Sequence, residues 1–220
     1  MENTNKLRSL HLSFDLDGTL INSLPLMQAS WGSVCRKYGL KIGWSQFKMQ
    51  IGLPFVEICK NLGVEDLSED LHRDYFNFNL ENIEKIEAMP GLDVLLDWLL
   101  DNNIEWSIIT SKPRVTALPI LAKFSLSPLV ALFCDDTQKG KPNIDPANLL
   151  KLKIQNGKEI YYIGDSIVDH IFSVNAGFKF IHFTPEVEED YNLSASNSSS
   201  GLVLNPYLKV KSLSDIPNIL

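Results

Sequence analysis

The sequence predicts an α/β fold in which a parallel sheet carries a helical insertion. Short apolar segments alternate with helical patterns over most of the 220 residues, as expected for a parallel sheet with right-handed helical crossovers. One stretch, residues 22–87, breaks this alternation and contains helical patterns only. We therefore expect a Rossmann-like core domain, residues 1–21 and 88–220, and an all-helical domain, residues 22–87, inserted after the first strand.

Five short segments predict buried strands, because they are mostly apolar and rich in β-branched or aromatic residues. Several lack polar alternation, which suits a sheet that is covered on both faces. They are residues 10–14, 104–109, 129–134, 160–163 and 178–183, and residues 202–204 and 208–210 could each add an edge strand. Helical patterns between them cover residues 92–100, 114–124, 146–152 and 167–175, although Pro119 interrupts the second.

The insertion contains three helical patterns. Apolar residues follow helical spacing from Leu24 to Tyr38, and Gly39 ends the run. The pattern returns over residues 55–62 and again over residues 71–86, which are rich in aromatic side chains. Pro90 and Gly91 mark the return to the alternating pattern.

Charge and composition exclude several classes of function. The net charge of −7 leaves no basic footprint for nucleic acid at the level of the whole chain. The three cysteines are far apart and odd in number, which argues against a disulfide framework. Neither a signal peptide nor an apolar stretch of membrane-spanning length is visible. We therefore expect a cytoplasmic protein that binds neither nucleic acid nor membranes.

Four of the predicted strands are followed by polar residues that can do chemistry. Ligands bind outside the carboxyl ends of the strands in an open parallel sheet, so these residues are expected at one edge. In chain order they are Asp15 and Asp17, then Thr110, Ser111 and Lys112, then Asp135, Asp136 and Lys141, and finally Asp165, Ser166 and Asp169.

Each of these residues has a structural explanation when it is taken alone. Asp165 and Ser166 could cap a helix, and Asp169 could complement the helix dipole. Lys141 could be a loop lysine in solvent, and Thr110 an ordinary strand residue. These separate explanations do not account for the convergence at one edge of the sheet, so we expect a functional site there.

A cluster of carboxylates favours a divalent cation, because neighbouring acids repel and raise one another's pKa. All-oxygen ligands completed by water and phosphate suit Mg²⁺. No His or Cys accompanies the acids, as zinc would require, and Leu20 and Leu26 stand where an EF-hand loop beginning at Asp15 needs glycine and glutamate. A cation, a lysine and a hydroxyl around carboxylates predict phosphoryl transfer, with one acid attacking phosphorus and another carrying the proton.

These motifs resemble a known family. FDLDGT at residues 14–19, Thr110 in IITSKP, Lys141 in GKPNIDP and GDSIVD at residues 164–169 are similar, in order, to the four motifs of the haloacid dehalogenase superfamily. The insertion resembles the helical cap of its phosphoglycolate phosphatase-like members. The resemblance implies a Mg²⁺-dependent phosphatase that hydrolyses a small phosphate monoester, similar to phosphoglycolate, or pyrophosphate through an aspartyl-phosphate.

The resemblance also implies roles for the residues at the strand ends. Asp15 would be the nucleophile and a Mg²⁺ ligand, and Asp17 would be the general acid and base, with its backbone carbonyl on the metal. Asp165 would bind Mg²⁺, and Asp169 would support it directly or through water. Thr110 would hydrogen-bond the transferring phosphoryl group. Lys141 would neutralise Asp15 and the phosphate.

Substrate contacts are expected from four further residues. Gly18 and Thr19 follow the two acids directly. Ser111 stands where the family often has an asparagine. Lys48, in the cap, could contact a substrate anion, with an ordinary surface lysine as the alternative.

Two other functions remain open. A β-phosphoglucomutase-like mutase would keep both acids and a similar cap, but its substrate loop typically carries a lysine-glycine pair, where this chain has Gln50-Ile51-Gly52. A non-catalytic phosphate-binding protein would usually lack one of the core acids or the lysine, and this chain has them all. Dehalogenation is not expected, because true dehalogenases lack an acid at the position of Asp17. The sequence leaves the substrate open, and the protein could be a monomer or a homodimer.

Overall fold

A six-stranded parallel sheet forms the centre of the computed structural model, which describes residue 7 and residues 9–185 and 206–220. Its six strands are β1 (Leu10–Phe14), β4 (Trp106–Ile109), β5 (Val130–Leu132), β6 (Glu159–Gly164), β7 (Lys179–Phe183) and β8 (Leu208–Val210). Two further strands, β2 (Ile21–Asn22) and β3 (Glu87–Ala88), pair only with each other. The sheet has the order β5-β4-β1-β6-β7-β8, and every neighbouring pair is parallel. The predicted α/β fold is confirmed.

Nine α-helices lie in the described part of the chain. They are α1 (Leu24–Tyr38), α2 (Trp44–Lys48), α3 (Phe55–Asn61), α4 (Ser68–Glu81), α5 (Leu92–Asp101), α6 (Arg114–Lys123), α7 (Asp145–Lys153), α8 (Ile167–Ala176) and α9 (Ile216–Ile219). Within these ranges, no helix combines the length and the apolar character that crossing a membrane requires.

Most predicted elements appear, with a few differences at their ends. β5 stops at Leu132, and residues 134–136 form a 3₁₀ turn in place of the predicted strand end. Pro119 does not end α6. Proline has no N–H, so the carbonyl of Val115, four residues earlier, lacks its helical hydrogen bond. Val115 is exposed, so water can bind that carbonyl instead. The edge strand at residues 208–210 is present, and residues 202–204 lie outside the described residues.

Both faces of the sheet are covered, as the apolar strands predict. Alternate residues of β6 enter different clusters: Ile160 and Tyr162 pack in one, and Tyr161 and Ile163 in the other. Because successive side chains of a strand point to opposite faces, this alternation places a hydrophobic core on each side of the sheet.

A short antiparallel ribbon joins the sheet to the insertion. Ile21 pairs with Ala88, and Asn22 pairs with Glu87. Helices α1 to α4 lie between these two strands and share a third apolar cluster, centred on Trp31, which stacks on an aromatic ring of α2. The expected boundaries, after residues 21 and 87, fall inside the ribbon, and the division into two domains stays a prediction.

Candidate active site

The loop after β1 places two carboxylates at the carboxyl edge of the sheet. The backbone N–H of Asp15 still donates to the carbonyl of Ile163 in β6, at 2.9 Å. The chain then turns tightly, because the N–H groups of Leu20 and Ile21 both donate to the carbonyl of Leu16. Asp15 and Asp17 are buried, with exposed fractions of 6% and 8%.

Three carboxylates from two strand ends meet at this edge. One oxygen each of Asp15, Asp165 and Asp169 can be chosen so that all three lie within 4.8 Å of one another. Asp169 is fully buried and Asp165 is half-buried. The Thr19 hydroxyl donates to Asp165 Oδ1 at 2.9 Å, so this hydroxyl orients one member of the cluster.

Lys141 is the basic partner of this carboxylate cluster. Its Nζ lies 2.8 Å from Asp15 Oδ1, 2.7 Å from Asp169 Oδ1 and 2.9 Å from the hydroxyl of Tyr162. Burial lowers the pKa of Lys141, but the charges of Asp15 and Asp169 outweigh it and hold this pKa well above its ordinary value. The lysine is therefore positively charged.

One lysine does not neutralise three carboxylates. Burial raises the pKa of Asp15 to about 7, with Lys141 opposing the rise and Asp169 adding to it. Burial, followed by the charges of Asp169 and Asp15, also raises the pKa of Asp165 well above its ordinary value. A divalent cation would relieve this repulsion, and the all-oxygen donor set fits Mg²⁺.

Asp17 has partners of its own, separate from the three-carboxylate cluster. Its Oδ1 accepts a 2.6 Å hydrogen bond from the Ser23 hydroxyl and lies 3.2 Å from Lys112 Nζ. Lys112 was expected at this edge because it follows β4, but its pairing with Asp17 was not predicted. Nothing in the sequence indicates the contact of Ser23 with Asp17.

Thr110 is placed at the end of β4 with its hydroxyl oriented by the backbone. Its N–H donates to the carbonyl of Leu132, and its Oγ1 accepts from the N–H of Lys112 at 3.1 Å. This arrangement leaves the hydroxyl proton of Thr110 to donate to a bound group.

A cavity of about 50 Å³ lies between this edge of the sheet and the insertion. The core contributes polar residues and one proline, and the insertion contributes mainly apolar and aromatic side chains. The core residues are Asp15, Asp17, Thr110, Ser111, Lys112 and Pro113, and those of the insertion are Met27, Phe47, Ile51, Gly52, Leu53, Phe55, Ile58, Tyr75 and Phe76.

The loop before α3, residues 50–54, closes over the core. The Ser111 hydroxyl donates to the carbonyl of Gly52. A Cβ atom added at Gly52 would lie 3.1 Å from Val168 and 3.3 Å from the Ser166 hydroxyl, so the loop backbone also touches the start of α8. These contacts describe a closed arrangement of the insertion over the cavity.

Three of the expected substrate-binding residues lie away from the cavity lining. Gly18 and Thr19 lie beside Asp165, and Lys48 is half-buried at the end of α2. Ser111 does line the cavity, where its hydroxyl is bonded to the insertion. Roles in substrate binding for all four residues stay predictions.

Some of the polar residues that follow the strands stabilise the start of a helix. Ser166 caps α8: its hydroxyl accepts from the N–H of Asp169, and the Asp169 carboxylate accepts from the Ser166 N–H at 3.1 Å. Asp135 and Asp136 bind Arg114, the first through its backbone N–H and the second through its guanidinium. They therefore anchor the start of α6 and lie outside the carboxylate cluster.

Comparison with known proteins supports a common family. A family model described as haloacid dehalogenase-like hydrolase matches residues 12–183. The phosphoglycolate phosphatase of Pseudomonas fluorescens is 25% identical over 204 residues, which cover 84% of this chain and 75% of that protein. The pyrophosphatase PpaX of Bacillus pumilus is 31% identical over 172 residues, covering 76% of this chain and 79% of that protein.

Solved structures share the fold. A hydrolase from Pseudomonas syringae superimposes with a TM-score of 0.79 at 24% identity, over 95% of this chain and 96% of that chain. A protein from Bacteroides vulgatus, described as a candidate beta-phosphoglucomutase, gives a TM-score of 0.73 at 18% identity, over 95% and 86% of the two chains.

Proposed function

This chain belongs to the haloacid dehalogenase-like hydrolase family and is a phosphatase, and from that premise we propose that it hydrolyses a small phosphate monoester or pyrophosphate through an aspartyl-phosphate on Asp15. The observation that carries the proposal is the contact of Asp15 with Lys141 inside a cluster of three carboxylates, beside the cavity between the sheet and the insertion. Phosphoglycolate and pyrophosphate, for which two relatives are named, are the reference compounds against which other phosphate esters are compared.

Mg²⁺ is the cofactor that these residues would hold. Asp15 and Asp165 would supply carboxylate oxygens, Asp169 would support the cation directly or through water, and the backbone carbonyl of Asp17 would add a ligand. When bound, the cation neutralises charge on the phosphate oxygens. The Asp169 carboxylate also accepts hydrogen bonds from Lys141, Tyr162 and Ser166. These contacts favour a role in which Asp169 holds these three side chains in position.

The chemistry requires a nucleophile and a separate proton carrier. Asp15 attacks phosphorus, the bond between phosphorus and the ester oxygen breaks, and that oxygen takes a proton from Asp17. Asp17 then removes a proton from water, whose oxygen attacks the phosphorus of the aspartyl-phosphate, releasing phosphate and restoring Asp15. Thr110 and Lys141 donate hydrogen bonds to the phosphoryl oxygens during both steps.

The different surroundings of the two acids support this division of work. Asp15 is held by Lys141, which also binds Asp169, whereas Asp17 is held by Ser23 and Lys112. Among the described contacts, Lys112 pairs with Asp17 and Lys141 pairs with Asp15, so each acid has its own basic partner.

Phosphate release measured with and without Mg²⁺ tests the proposal. Asp15→Asn is expected to lower kcat by about 10³-fold or more, because the amide is a poor nucleophile. Asp97→Asn is the matched control, since Asp97 lies exposed on α5, and it should retain wild-type activity. Robust phosphate release by Asp15→Asn, or full activity of the wild type in a chelator, would overturn the nucleophile or the metal dependence, respectively.

A mutase is the second candidate, because one of the neighbours of the same fold is described as a candidate beta-phosphoglucomutase. The apolar side chains that the insertion contributes to the cavity provide few hydrogen-bond partners for the several hydroxyls of a sugar, which favours hydrolysis. Product analysis with a hexose phosphate separates the two functions, since a mutase yields an isomer and a phosphatase yields free phosphate. A cytoplasmic location and a monomeric or homodimeric state stay predictions.

A further inference from the structure

The side of the cavity that the insertion forms is mainly apolar. The acids and Lys112 line the core side, so a leaving group would lie against the insertion side. The insertion contributes no charged side chain to the described lining of the cavity, and Lys112 is the single cation among those lining residues. Lys112 Nζ already lies 3.2 Å from Asp17, and both side chains are more than nine-tenths buried. A second anionic group on a substrate would therefore meet no uncommitted positive charge in this lining.

Tyr75 is the exception to the apolar character of the insertion side. It is 2% exposed, and its hydroxyl makes no hydrogen bond with any residue that the structure describes. The ring is held by Phe47 and Phe55, with centroids 5.5 and 5.0 Å away. A buried hydroxyl without a partner costs about 1–3 kcal/mol, so an acceptor supplied by a bound molecule would remove that cost.

The hydroxyl of Tyr75 is a neutral donor. Burial, followed by the charge of Asp17, raises the pKa of Tyr75 above its ordinary value. A smaller, opposing effect on this pKa comes from the side chain of Asn79, one turn further along α4. The amide nitrogen of Asn79 donates to the backbone carbonyl of Tyr75 at 2.8 Å and to the Ser30 hydroxyl at 3.4 Å.

We propose that this cavity selects a phosphate monoester whose leaving group is an uncharged, mainly apolar alcohol with one hydrogen-bond acceptor, which Tyr75 binds. This inference rests on the proposed phosphatase function and narrows its substrate class. It implies that phosphoglycolate and pyrophosphate, whose leaving groups are anionic, are poor substrates of this protein, because each would bury a charge against apolar side chains.

The charge part of the proposal is tested with two esters of similar shape. Isobutyl phosphate carries an isopropyl group in place of the carboxylate of phosphoglycolate, so two methyl groups stand where the two carboxylate oxygens were. Under identical Mg²⁺ concentrations, kcat/KM is expected to be about 100-fold higher for isobutyl phosphate, because its leaving group carries no charge to desolvate. An equal or higher kcat/KM for phosphoglycolate or pyrophosphate overturns the proposal.

The role of Tyr75 is tested with a second pair of esters. 2-Methoxyethyl phosphate and butyl phosphate have the same chain length and differ by one ether oxygen. The wild type is expected to prefer the ether by about fivefold to tenfold in kcat/KM, and Tyr75→Phe is expected to abolish that preference. Equal losses on both esters would assign Tyr75 a structural role only, and a preference retained in the variant would refute the hydrogen bond.

A gain of function gives an independent test. Leu53 lines the cavity and is half-buried in the loop that closes it. Leu53→Lys is expected to raise the ratio of phosphoglycolate to isobutyl phosphate turnover about tenfold or more, because it adds a cation to the apolar side. Met49→Lys adds the same charge at a position that is 70% exposed, and it should leave the ratio unchanged. Thermal unfolding of both variants reports whether they fold.

The outcomes separate the inference from the function on which it rests. Hydrolysis that depends on Asp15 and Mg²⁺ but favours anionic leaving groups overturns the inference and leaves the phosphatase intact. Failure to hydrolyse any of these esters or pyrophosphate overturns both.

Discussion

Asp15→Asn is expected to stabilise the protein when no divalent cation is present. The wild type buries Asp15 close to two other carboxylates, and its pKa rises from the ordinary 3.8 to about 7. Asparagine has nearly the same shape and cannot ionise. It can still accept a hydrogen bond from Lys141, whose charge remains paired with Asp169.

The pKa shift gives the size and the direction of the effect. Because the folded-state pKa is raised, the stability that neutral Asp15 contributes is fully present below pH 4 and is lost as the pH rises through about 7. A pKa difference of about three, at 1.36 kcal/mol for each unit, corresponds to a loss of about 4 kcal/mol. We therefore expect Asp15→Asn to exceed the wild type by up to about 4 kcal/mol at pH 7.5, and by about 1–2 kcal/mol at pH 5.

Urea unfolding in a chelator measures these differences. The four tryptophans give a fluorescence signal from which the free energy of unfolding is obtained at each pH. Asp97→Asn, at an exposed site, should change this free energy by less than about 0.5 kcal/mol at either pH. Mg²⁺ should then narrow the difference at pH 7.5, since a cation at 100 times its Kd adds about 2.7 kcal/mol to the protein that binds it. A variant that is less stable than the wild type at pH 7.5, or a difference that does not change with pH, would refute the reasoning.

Two further substitutions test the contacts that hold Lys141 and Asp165 in place. Tyr162→Phe removes the hydroxyl that accepts from Lys141 at 2.9 Å, and it should lower the free energy of unfolding by about 1–3 kcal/mol in urea; an unchanged value would show that this hydrogen bond adds nothing. Gly18→Ala places a Cβ 2.5 Å from Asp165 at a φ of +85°, whereas Gly39→Ala, at a φ of +65°, meets no atom within 4 Å. Thermal unfolding should show a cost of about 1 kcal/mol for the Gly39 variant from backbone strain alone and a larger cost at Gly18; equal costs would contradict the contact.

The convergence of the strand ends could be predicted from the sequence. Short apolar strands alternating with helices imply a parallel sheet, and a parallel sheet brings its carboxyl ends to one edge. Asp15, Thr110 and Asp165 each follow a strand directly, so their meeting required only that topology. Lys141 lies farther from its strand, and its expected contact with Asp15 came from the family motif.

The partners of individual side chains could not be predicted in this way. Asp135 and Asp136 also follow a strand, yet they bind Arg114, because the chain turns after Leu132 and carries them to the start of α6. Lys48 is not among the described residues that line the cavity, and its contact with a substrate anion stays a prediction. A displacement of a few ångströms decides such contacts, and sequence patterns do not resolve distances of that size.

The α/β class, the helical insertion and the set of acids at one edge could all be predicted from the sequence, because they follow from hydrophobic periodicity and from the alternation of strands with helices along the chain. The contacts of Asp17 with Lys112 and Ser23 became visible in the folded chain alone. So did the buried hydroxyl of Tyr75, a residue of the cavity lining, which has no hydrogen-bond partner among the described residues. The physical reason is that these contacts join segments far apart in the chain, so they depend on how the insertion packs against the sheet and leave no local pattern in the sequence.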